Sequence, residues 1–367
     1  MAMAHGFGII GCGMIAGFHA RAIKDLRGAK VVACYDAVPA AADRLAQAIG
    51  CTAFHRLEDL LADPKVTVVT IGTPSGAHME PAVAAARAGK HVIVEKPLEI
   101  TLARCDRIIR ECAAAGVKLS AIFPSRFHDS SIELKRAIEQ RRFGRLTLGD
   151  AYVKWFRPQS YYDSGAWRGT WELDGGGALM NQAIHSVDLL NWLMGPVEEI
   201  RAQTGTLAHQ RIAVEDTAVA TLRFAGGALG VIEASTAAYP GYLKRLEIHG
   251  DEGSAGMEEE DIVKWDFAKK NRRDAGILAQ MGQRKSTGGG ASDPAAIGYH
   301  GHARQFADVL DSIAKDRPPA IDGAQGRASV EIILGIYKAA ETGRPVHLPL
   351  AGDPRLKARV DEKIAKK

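Results

Sequence analysis

Short β-prone runs alternate with helix-compatible segments in the first third of the chain, and this alternation limits the possible folds more than any other feature. Five runs qualify as strands: FGII at 7–10, KVVACYD at 30–36, VTVVTIG at 66–72, HVIVE at 91–95 and VKLSAIF at 117–123. Strands that are separated by helices pair in parallel through right-handed crossovers. We therefore predict a doubly wound α/β domain with a parallel sheet over residues 1–124.

The pattern changes after about residue 145. Runs such as EDTAVATLRFAGGALGVIEAST and RLEIHGDEGSAGMEE place glycine-rich turn signals between β-prone stretches, which is typical of antiparallel strands. A chain of 367 residues also exceeds the size at which single cores stop growing, roughly 250 to 300 residues. We predict a second domain over residues 125–367, of the α+β type with a largely antiparallel open sheet, a surface loop at 269–296 and two amphipathic helices near the end.

Composition argues against several classes of protein. The chain has 47 Lys and Arg against 43 Asp and Glu, a formal net charge of +4 that gives no general argument for a nucleic-acid partner. No run approaches the roughly 20 apolar residues of a membrane span, and the N-terminus lacks the features of a signal peptide. The cysteines show no metal-ligand spacing. We expect reduced thiols, a cytoplasmic location, no metal site, and neither nucleic acid nor a membrane as a partner.

A glycine-rich turn, GCGMIA at residues 11–16, follows the first strand and leads into a helix. The first glycine permits a tight turn, the second lets the backbone approach a pyrophosphate, and a small third residue lets helix pack on strand. Asp36 ends the second strand about 25 residues later, where a carboxylate can bind ribose hydroxyls and repel a 2′-phosphate. These features predict a Rossmann domain that binds NAD rather than NADP through Gly11, Gly13, Met14, Ile15 and Asp36. The alternative is a structural turn with Asp36 as a helix cap.

The loop after the third strand also contains candidate cofactor residues. Thr73, Pro74 and His78 follow this strand, on a loop that we expect to lie near the ribose of the cofactor. His78 has an alternative interpretation, since a histidine in this position can also cap a helix or pack in the core.

The fourth strand, HVIV at 91–94, runs directly into Glu95, Lys96 and Pro97. Lysine and glutamate are rarely buried unless they are paired or functional, and open α/β sheets bind ligands at the carboxyl ends of their strands. We therefore predict that the two charges contact a ligand. The segment AGKHVIVEKP, residues 88–97, resembles the AGKHVxxEKP signature of the Gfo/Idh/MocA oxidoreductase family. The resemblance implies that Lys96 lies beside nicotinamide and substrate, that Glu95 also contacts the cofactor, and that the peptide before Pro97 is cis.

A second segment, WRGTWELDGGGALMNQAIHSVDLLNWLMG from residue 167, resembles the family's second motif, in which a glycine-rich turn precedes a helix with a polar residue and a histidine four positions apart. Here these are Asn181 and His185, which a helix places on one face. Neutral imidazole can accept a hydroxyl proton, and Asp188 could orient the ring. An ordinary amphipathic helix is the alternative. The resemblance implies that substrate is bound by Lys96, Asn181, His185 and Tyr162, and that Trp167 and Arg168 also contact the cofactor.

One position departs from the family. Many members have aspartate where this chain has Asn181, and an amide cannot relay a proton. Proton transfer is therefore expected from His185 together with Lys96, or from Lys96 with water. Asn181 and the segment YYDSGAWRGTW resemble members that act on nucleotide-linked N-acetylglucosamine uronic acids, as well as several uncharacterised sugar dehydrogenases.

The resemblance implies an NAD-dependent dehydrogenase that moves hydride between nicotinamide and a secondary alcohol or ketone of a sugar, cyclitol or nucleotide-sugar. Two alternatives stay open at this point: a sugar oxidoreductase or glycosidase with tightly retained NAD(P), and a non-catalytic dinucleotide-binding regulator. The resemblance further implies a homodimer or homotetramer that assembles through the open face of the second domain's sheet.

Overall fold

The computed structural model describes residues 5–282, 290–291 and 298–357, which form two compact units. The first unit contains the chain up to Pro124 together with Tyr299–Val330, and the second contains Ser125–Gly298 together with the chain from Glu331 onward. Among the helices in the described ranges, none is both long and apolar enough to cross a bilayer.

A six-stranded parallel sheet forms the centre of the first unit. Its strands are β1 (His5–Ile10), β2 (Ala29–Tyr35), β3 (Thr52–Phe54), β4 (Val68–Ile71), β5 (His91–Val94) and β6 (Leu119–Ala121). The alternating helices are α1 (Met14–Lys24), α2 (Pro39–Ile49), α3 (Leu57–Ala62), α4 (Met79–Arg87) and α5 (Leu102–Ala114). The strand order is β3-β2-β1-β4-β5-β6, which confirms the predicted doubly wound sheet. The sequence does not predict β3, because three residues carry too little pattern.

The register of this sheet brings the ends of four strands to one edge. Ile10 pairs with both Tyr35 and Ile71, and Ile71 pairs with Val94. The residues that follow β1, β2, β4 and β5 therefore leave the sheet side by side. The strand order also reverses next to β1, and ligands bind at such switch points in open α/β sheets.

An eight-stranded mixed sheet forms the centre of the second unit. Its strands are β7 (Leu146–Lys154), β8 (Val197–Gly205), β9 (Thr217–Phe224), β10 (Leu229–Ser235), β11 (Arg245–Gly250), β12 (Gly253–Glu258), β13 (Asp261–Phe267) and β14 (Val346–His347). The order is β13-β12-β11-β7-β10-β9-β8-β14, and the described pairs are antiparallel except β7 with β10. The predicted antiparallel character is confirmed. The helical segments of this part are α6 (Asp129–Glu139), α7 (Gln159–Asp163), a π-helical segment (Ala178–Ala183) and α8 (Ile184–Met194).

Helix α9 (Asp274–Met281) lies within the segment 269–296 that the sequence predicts as a surface loop, so that prediction is wrong for these residues. Asp274 in its first turn accepts hydrogen bonds from Arg142 at 2.6 and 2.8 Å and from the indole of Trp265 at 3.0 Å. Arg142 lies 132 residues from Asp274 in the sequence, so local patterns cannot reveal this contact. Residues 269–273 form the predicted exposed loop, and residues 290–291 are buried; 283–289 and 292–296 lie outside the described residues.

Helix α10 (His300–Ala314) returns the chain to the first unit, and α11 (Gly323–Thr342) begins there. Phe306 and Val309 of α10 are fully buried in the same core cluster as β1 and α1. Gln305 accepts a hydrogen bond from the N–H of Phe123 at 3.0 Å and donates to the carbonyl oxygen of Ala121 at 2.7 Å. The compact units thus share the predicted boundary after residue 124, but residues 299–330 do not belong to the second unit. They cover the edge strand β6, which leaves backbone groups that need partners.

Candidate active site

The turn after β1 combines a close approach on one side with open space on the other. Gly11 has a φ of +91°, and a Cβ there would lie 2.7 Å from the carbonyl carbon of Gly72, so a larger residue does not fit. A Cβ at Gly13 would meet no atom within 4 Å. Met14, which begins α1, is more than half exposed, and the next residue, Ile15, packs against Gly72. The first turn of α1 carries no side-chain cap and no acidic residue, so its N–H groups suit a pyrophosphate.

Asp36 follows β2 and lies beside the same turn. Its Oδ2 accepts the N–H of Cys12 at 2.7 Å, and its Oδ1 accepts the N–H of Val38 at 2.8 Å. The first bond holds the glycine turn and the second shapes the segment before α2, so Asp36 has a structural role, while its contact with ribose stays a prediction. Each carboxylate oxygen keeps further acceptor capacity, which a ribose hydroxyl can use.

His78, a predicted cofactor residue, lies buried between the loops after β4 and β5. The side chain is buried, with Nδ1 2.9 Å from the carbonyl oxygen of Pro97 and Nε2 3.0 Å from that of Thr73. Burial lowers the pKa of the ring, against the opposing effects of Glu99 and of the carbonyl groups of Pro97 and Thr73. His78 therefore ties the loop after β4 to the loop after β5, in line with the packing alternative, and its contact with the cofactor stays a prediction. Thr73 and Pro74 lie on the loop after β4, as the sequence predicts.

Glu95 and Lys96 follow β5, and they point to different uses. Glu95 is buried, with Oε1 2.9 Å from Nε2 of His19 and 3.6 Å from Nε2 of His302. Its Oε2 accepts the backbone N–H of Lys96 at 3.0 Å. The protein itself hydrogen-bonds both oxygens of this carboxylate, and the contact between Glu95 and the cofactor stays a prediction. Lys96 is half-buried, and the Lys96–Pro97 peptide is cis.

Asn181 and His185 lie where one helical form passes into another. Asn181 belongs to the π-helical segment and His185 to the first turn of α8. Both side chains are half-buried, whereas the residues around them are buried: Met180, Ala183 and Ile184. The two polar residues thus occupy the accessible side of the helix. π-Helical segments are rare and occur frequently at functional sites.

A directional chain of hydrogen bonds fixes the amide of Asn181. Arg157 Nη2 donates to Gln182 Oε1 at 3.1 Å, and Gln182 Nε2 donates to Asn181 Oδ1 at 3.3 Å. Asn181 Nδ2 then donates to Oδ1 of the buried Asp174 at 2.6 Å. A guanidinium only donates and an ionised carboxylate only accepts, so neither amide can be reversed. The sequence does not single out Asp174 or Gln182, because ELDGGG resembles any turn.

Tyr162, a predicted substrate contact, is buried inside the second unit. Its hydroxyl lies 2.8 Å from that of Thr236, and burial raises its pKa. The adjacent Tyr161 takes the polar position, since its hydroxyl accepts from Arg168 at 2.7 Å and from Gln182 at 3.0 Å. Neighbouring residues of a helix point about 100° apart, so one tyrosine faces the polar cluster and the other the core.

Trp167 and Arg168 lie next to this cluster. The guanidinium of Arg168 stacks 4.5 Å from the ring of Trp167 and 4.3 Å from the ring of Tyr161. The two residues predicted to contact the cofactor are therefore linked through Tyr161 and Gln182 to Asn181. Asp188, which the sequence offers as a partner for His185, makes a buried pair with Arg126 at 2.6 and 2.8 Å. Its effect on His185 stays a prediction.

Glu215 anchors the start of the helical segment that carries Asn181. Its oxygens accept the N–H groups of Gly177 and Leu179, each at 2.9 Å, and Tyr337 donates its hydroxyl at 3.0 Å. A Cβ at Gly177 would lie 1.7 Å from the carbonyl oxygen of Glu215, so the two backbones touch. Burial raises the pKa of Glu215 to about 7, even though the three donors favour its ionised form.

We expect this buried carboxyl group to make stability depend on pH. The unfolded group releases its proton near pH 4.5 and the folded group near pH 7, so stability falls as pH rises between these values. Above pH 7 the free energy of unfolding is lower than below pH 4.5 by about 3 kcal/mol. Thermal unfolding at pH 5 and pH 8 measures it: Glu215→Gln should lose much of the difference between the two pH values. The exposed Glu198→Gln should keep it, and equal pH dependence in all three proteins would contradict the prediction.

Comparison with known proteins connects these features to a family. Residues 5–123 match the family described as "Oxidoreductase family, NAD-binding Rossmann fold", and residues 132–256 match the "GFO/IDH/MocA C-terminal domain". Inositol 2-dehydrogenase 2 of Saccharopolyspora erythraea is 31% identical over 262 residues, which cover 70% of this chain and 74% of the relative. The chain belongs to the Gfo/Idh/MocA oxidoreductase family.

This Gfo/Idh/MocA oxidoreductase is similar to two other proteins over nearly its whole length. Myo-inositol 2-dehydrogenase of Thermotoga maritima is 29% identical over 354 residues, which cover 93% of this chain and 98% of the relative. The WlbA dehydrogenase from Bordetella pertussis, solved in complex with NADH and UDP-GlcNAcA, is 36% identical with a TM-score of 0.86. That comparison covers 95% of this chain and 99% of WlbA.

NAD is the cofactor of this oxidoreductase, and the residues at the sheet edge fit it. The matched NAD-binding region contains the glycine turn, Asp36 and Lys96. The open space at Gly13 and the uncapped first turn of α1 suit the pyrophosphate, while the Asp36 carboxylate suits the ribose.

We expect the oxidoreductase to use NAD more efficiently than NADP, because Asp36 would repel a 2′-phosphate. Asp36→Asn keeps the shape of the side chain and removes its charge, so it should narrow the ratio of kcat/KM for NAD over NADP by about tenfold or more. Steady-state kinetics with both cofactors measures this ratio. Asp43→Asn, on the exposed side of α2, is the matched control and should leave it unchanged. A wild-type preference for NADP would contradict the assignment.

Proposed function

We propose that this oxidoreductase is an NAD-dependent dehydrogenase that oxidises a secondary alcohol of a nucleotide-linked sugar, with sugars and cyclitols as the wider substrate class. The observation that carries the choice is its 36% identity to WlbA, which was solved with UDP-GlcNAcA, across 99% of that chain. Asn181 supports it, because the sequence resemblance ties an amide at this position to nucleotide-linked uronic acids. The weaker identity to inositol dehydrogenases keeps cyclitols in the wider class.

The proposed roles follow from the chemistry of each side chain. Bound NAD supplies hydride-transfer chemistry. Lys96, at the end of β5, would stabilise the alkoxide that develops on the substrate oxygen, since its charge lies where ligands of parallel sheets bind. His185 would take the hydroxyl proton as a general base. Asn181 would hold the substrate without exchanging a proton, because its amide orientation is fixed by Gln182 and Asp174.

Formation of NADH tests the proposal. Purified protein would be given NAD with UDP-GlcNAcA, with UDP-N-acetylglucosamine as the matched control that lacks the carboxylate, and with myo-inositol. We expect a rise in NADH absorbance with UDP-GlcNAcA and a much smaller one with the control. A rise with myo-inositol alone would overturn the nucleotide-sugar proposal in favour of a cyclitol dehydrogenase. Absence of hydride transfer with a wide panel of polyols would overturn the enzymatic proposal altogether.

Retention of the cofactor separates a dehydrogenase from the alternative of a sugar oxidoreductase or glycosidase with bound NAD(P). A dehydrogenase releases its nicotinamide in each turnover, so free NADH accumulates beyond one equivalent per subunit. A retained cofactor would instead copurify and be reduced only once. Mass spectrometry of the purified protein and the stoichiometry of NADH formation together distinguish the two.

We propose that the protein assembles into a homodimer or homotetramer through the open face of the eight-stranded sheet. Leu148, Val219 and Leu229 lie on neighbouring strands of this face and are 37%, 47% and 50% exposed. Apolar side chains grouped on one exposed surface favour association. We expect light scattering at micromolar concentration to give a dimer or tetramer that Leu229→Glu weakens. Leu207→Glu, an exposed site outside the sheet, is the control, and a monomeric wild type would contradict the proposal.

The state of the cysteines bears on location. All five are free thiols, and three of them, Cys34, Cys105 and Cys112, are buried. Proteins in oxidising compartments commonly form disulfides, so free thiols fit a reducing one. On this ground we propose that the protein acts in the cytoplasm.

A further inference from the structure

A buried cluster of three titratable side chains lies inside the first unit, and the proposed chemistry does not use it directly. His19 belongs to α1, Glu95 follows β5 and His302 belongs to α10. They are 0%, 7% and 4% exposed. Both imidazoles reach the same carboxylate oxygen of Glu95 through Nε2, at 2.9 and 3.6 Å. The sequence does not reveal the cluster, since its members lie 76 or more residues apart.

The hydrogen bond to Glu95 determines that Nε2 of His19 carries a proton. Burial alone would raise the pKa of Glu95, but His19 and His302 hold it well below its usual range, so the carboxylate is ionised and only accepts. Nε2 of His19 must therefore carry a proton. Burial lowers the pKa of His19, against the raising effect of Glu95. Nδ1, the other ring nitrogen, lies within hydrogen-bond distance of the hydroxyl of the buried Thr70, 3.0 Å away.

The other oxygen of the carboxylate reaches the backbone of the proposed catalytic lysine. Glu95 Oε2 accepts the N–H of Lys96 at 3.0 Å. A carboxylate with one oxygen hydrogen-bonded to His19 and packed 3.6 Å from His302 cannot rotate freely, and its second oxygen then fixes the peptide that carries Lys96. We propose that His19 and His302 are positioning residues for Lys96 and act through the carboxylate of Glu95. The inference rests on the proposed role of Lys96, since neither histidine is taken to contact substrate.

The same side chains form a set of the type that binds metals, two histidines and one glutamate. The distance between His19 and Glu95 favours a hydrogen bond instead, although that between His302 and Glu95 is 3.6 Å. His19 Nε2 and Glu95 Oε1 are 2.9 Å apart, whereas two ligands of a tetrahedral zinc ion lie about 3.3 Å apart. Glu95 also spends its second oxygen on the Lys96 N–H. A metal ion bound by His19, Glu95 and His302 is the competing interpretation, and the metal content of the purified protein tests it.

Paired substitutions at the two histidines test the proposal. Glutamine keeps an N–H donor near the position of Nε2, whereas leucine keeps bulk and removes the donor. We expect His19→Leu and His302→Leu to lower kcat by about ten- to hundredfold with KM for NAD changed less than about threefold, because a misplaced catalytic group costs this much. His19→Gln and His302→Gln should stay within about threefold of the wild-type kcat. Thr70→Val, nearly isosteric, should give an intermediate loss and serves where a leucine variant does not fold.

Hydrogen exchange of the Lys96 amide gives a readout that does not depend on activity. The amide should exchange faster in the leucine variants and at the wild-type rate in the glutamine variants. Phe306→Leu is the matched control, since Phe306 packs on His19 with ring centroids 5.4 Å apart but donates no hydrogen bond. It should lower the melting temperature and leave both kcat and the exchange of Lys96 unchanged.

Three results would overturn the proposal: leucine variants with wild-type kcat and wild-type exchange, glutamine variants as impaired as the leucine ones, or stoichiometric metal in the purified protein whose removal abolishes activity. Failure of the proposed function would appear as absence of NADH formation by the wild type, and failure of the proposed role of Lys96 looks different again. In that case Lys96→Met would retain full activity, while the exchange experiment would still report whether the histidines hold the Lys96 peptide.

Discussion

Replacing Lys96 by methionine should lower kcat by about 10²-fold or more, with KM for NAD nearly unchanged. Methionine keeps the length of the side chain and removes the charge that stabilises the developing alkoxide in the transition state. Because this interaction strengthens only as the hydroxyl ionises, its loss affects kcat rather than cofactor binding. Steady-state kinetics with the substrate found in the NADH assay measures both parameters.

An exposed lysine of the same sheet provides the control for the Lys96 substitution. Lys65 precedes β4, so it lies at the edge of the parallel sheet opposite the end of β5. Lys65→Met should have wild-type kinetics. A Lys96→Met protein with the same kcat as Lys65→Met would remove Lys96 from the mechanism, and a rise in KM for NAD alone would assign it to cofactor binding.

Loss of the imidazole in His185→Ala should lower kcat by about 10²- to 10⁴-fold. For alcohol oxidation the variant should also lose the acidic limb of its pH–rate profile, since that limb reports protonation of the general base. Profiles of kcat against pH for wild type and variant measure the effect. His55→Ala, an exposed histidine after β3, is the control and should keep both the rate and the limb.

Asn181 separates two assignments of the base. Asn181→Ala should act mainly on substrate KM. Asn181→Asp would place a carboxylate against Asp174, whose Oδ1 lies 2.6 Å from the amide nitrogen it replaces, and two carboxylates at that distance cannot both ionise. We therefore expect Asn181→Asp to lose activity as well. If it instead gains activity and shifts the pH optimum while His185→Ala is near wild type, His185 is not the base.

The sequence predicts the fold well where signals are local. Alternation of strands and helices predicts the parallel sheet, because each strand and each crossover is contained in a short window. The return of α10 to the first unit has no such signal. Amphipathic spacing shows that Phe306 and Val309 face a core, but it cannot say which core when two are present.

The candidate site shows the same limit at the level of side chains. Lys96, Asn181 and His185 belong to contiguous motifs, so the sequence offers them as candidates. The partners of Glu95 and His78 inside the protein are not predictable in this way: His19 is 76 residues from Glu95, and both nitrogens of His78 lie near backbone carbonyl oxygens. A buried polar residue is satisfied by whatever the fold brings to it, and sequence spacing does not record that.

The discontinuous first unit also constrains how the protein is made. A ribosome completes residues 1–124 well before it reaches α10, and at about 5–20 residues per second the interval to Val330 is roughly 10 to 40 s. Throughout that time the apolar surface that Phe306 and Val309 later cover is exposed to water and to chaperones. The second unit is also incomplete during this interval, because it includes the chain from Glu331 onward. A nascent chain halted after residue 298 would contain neither unit complete.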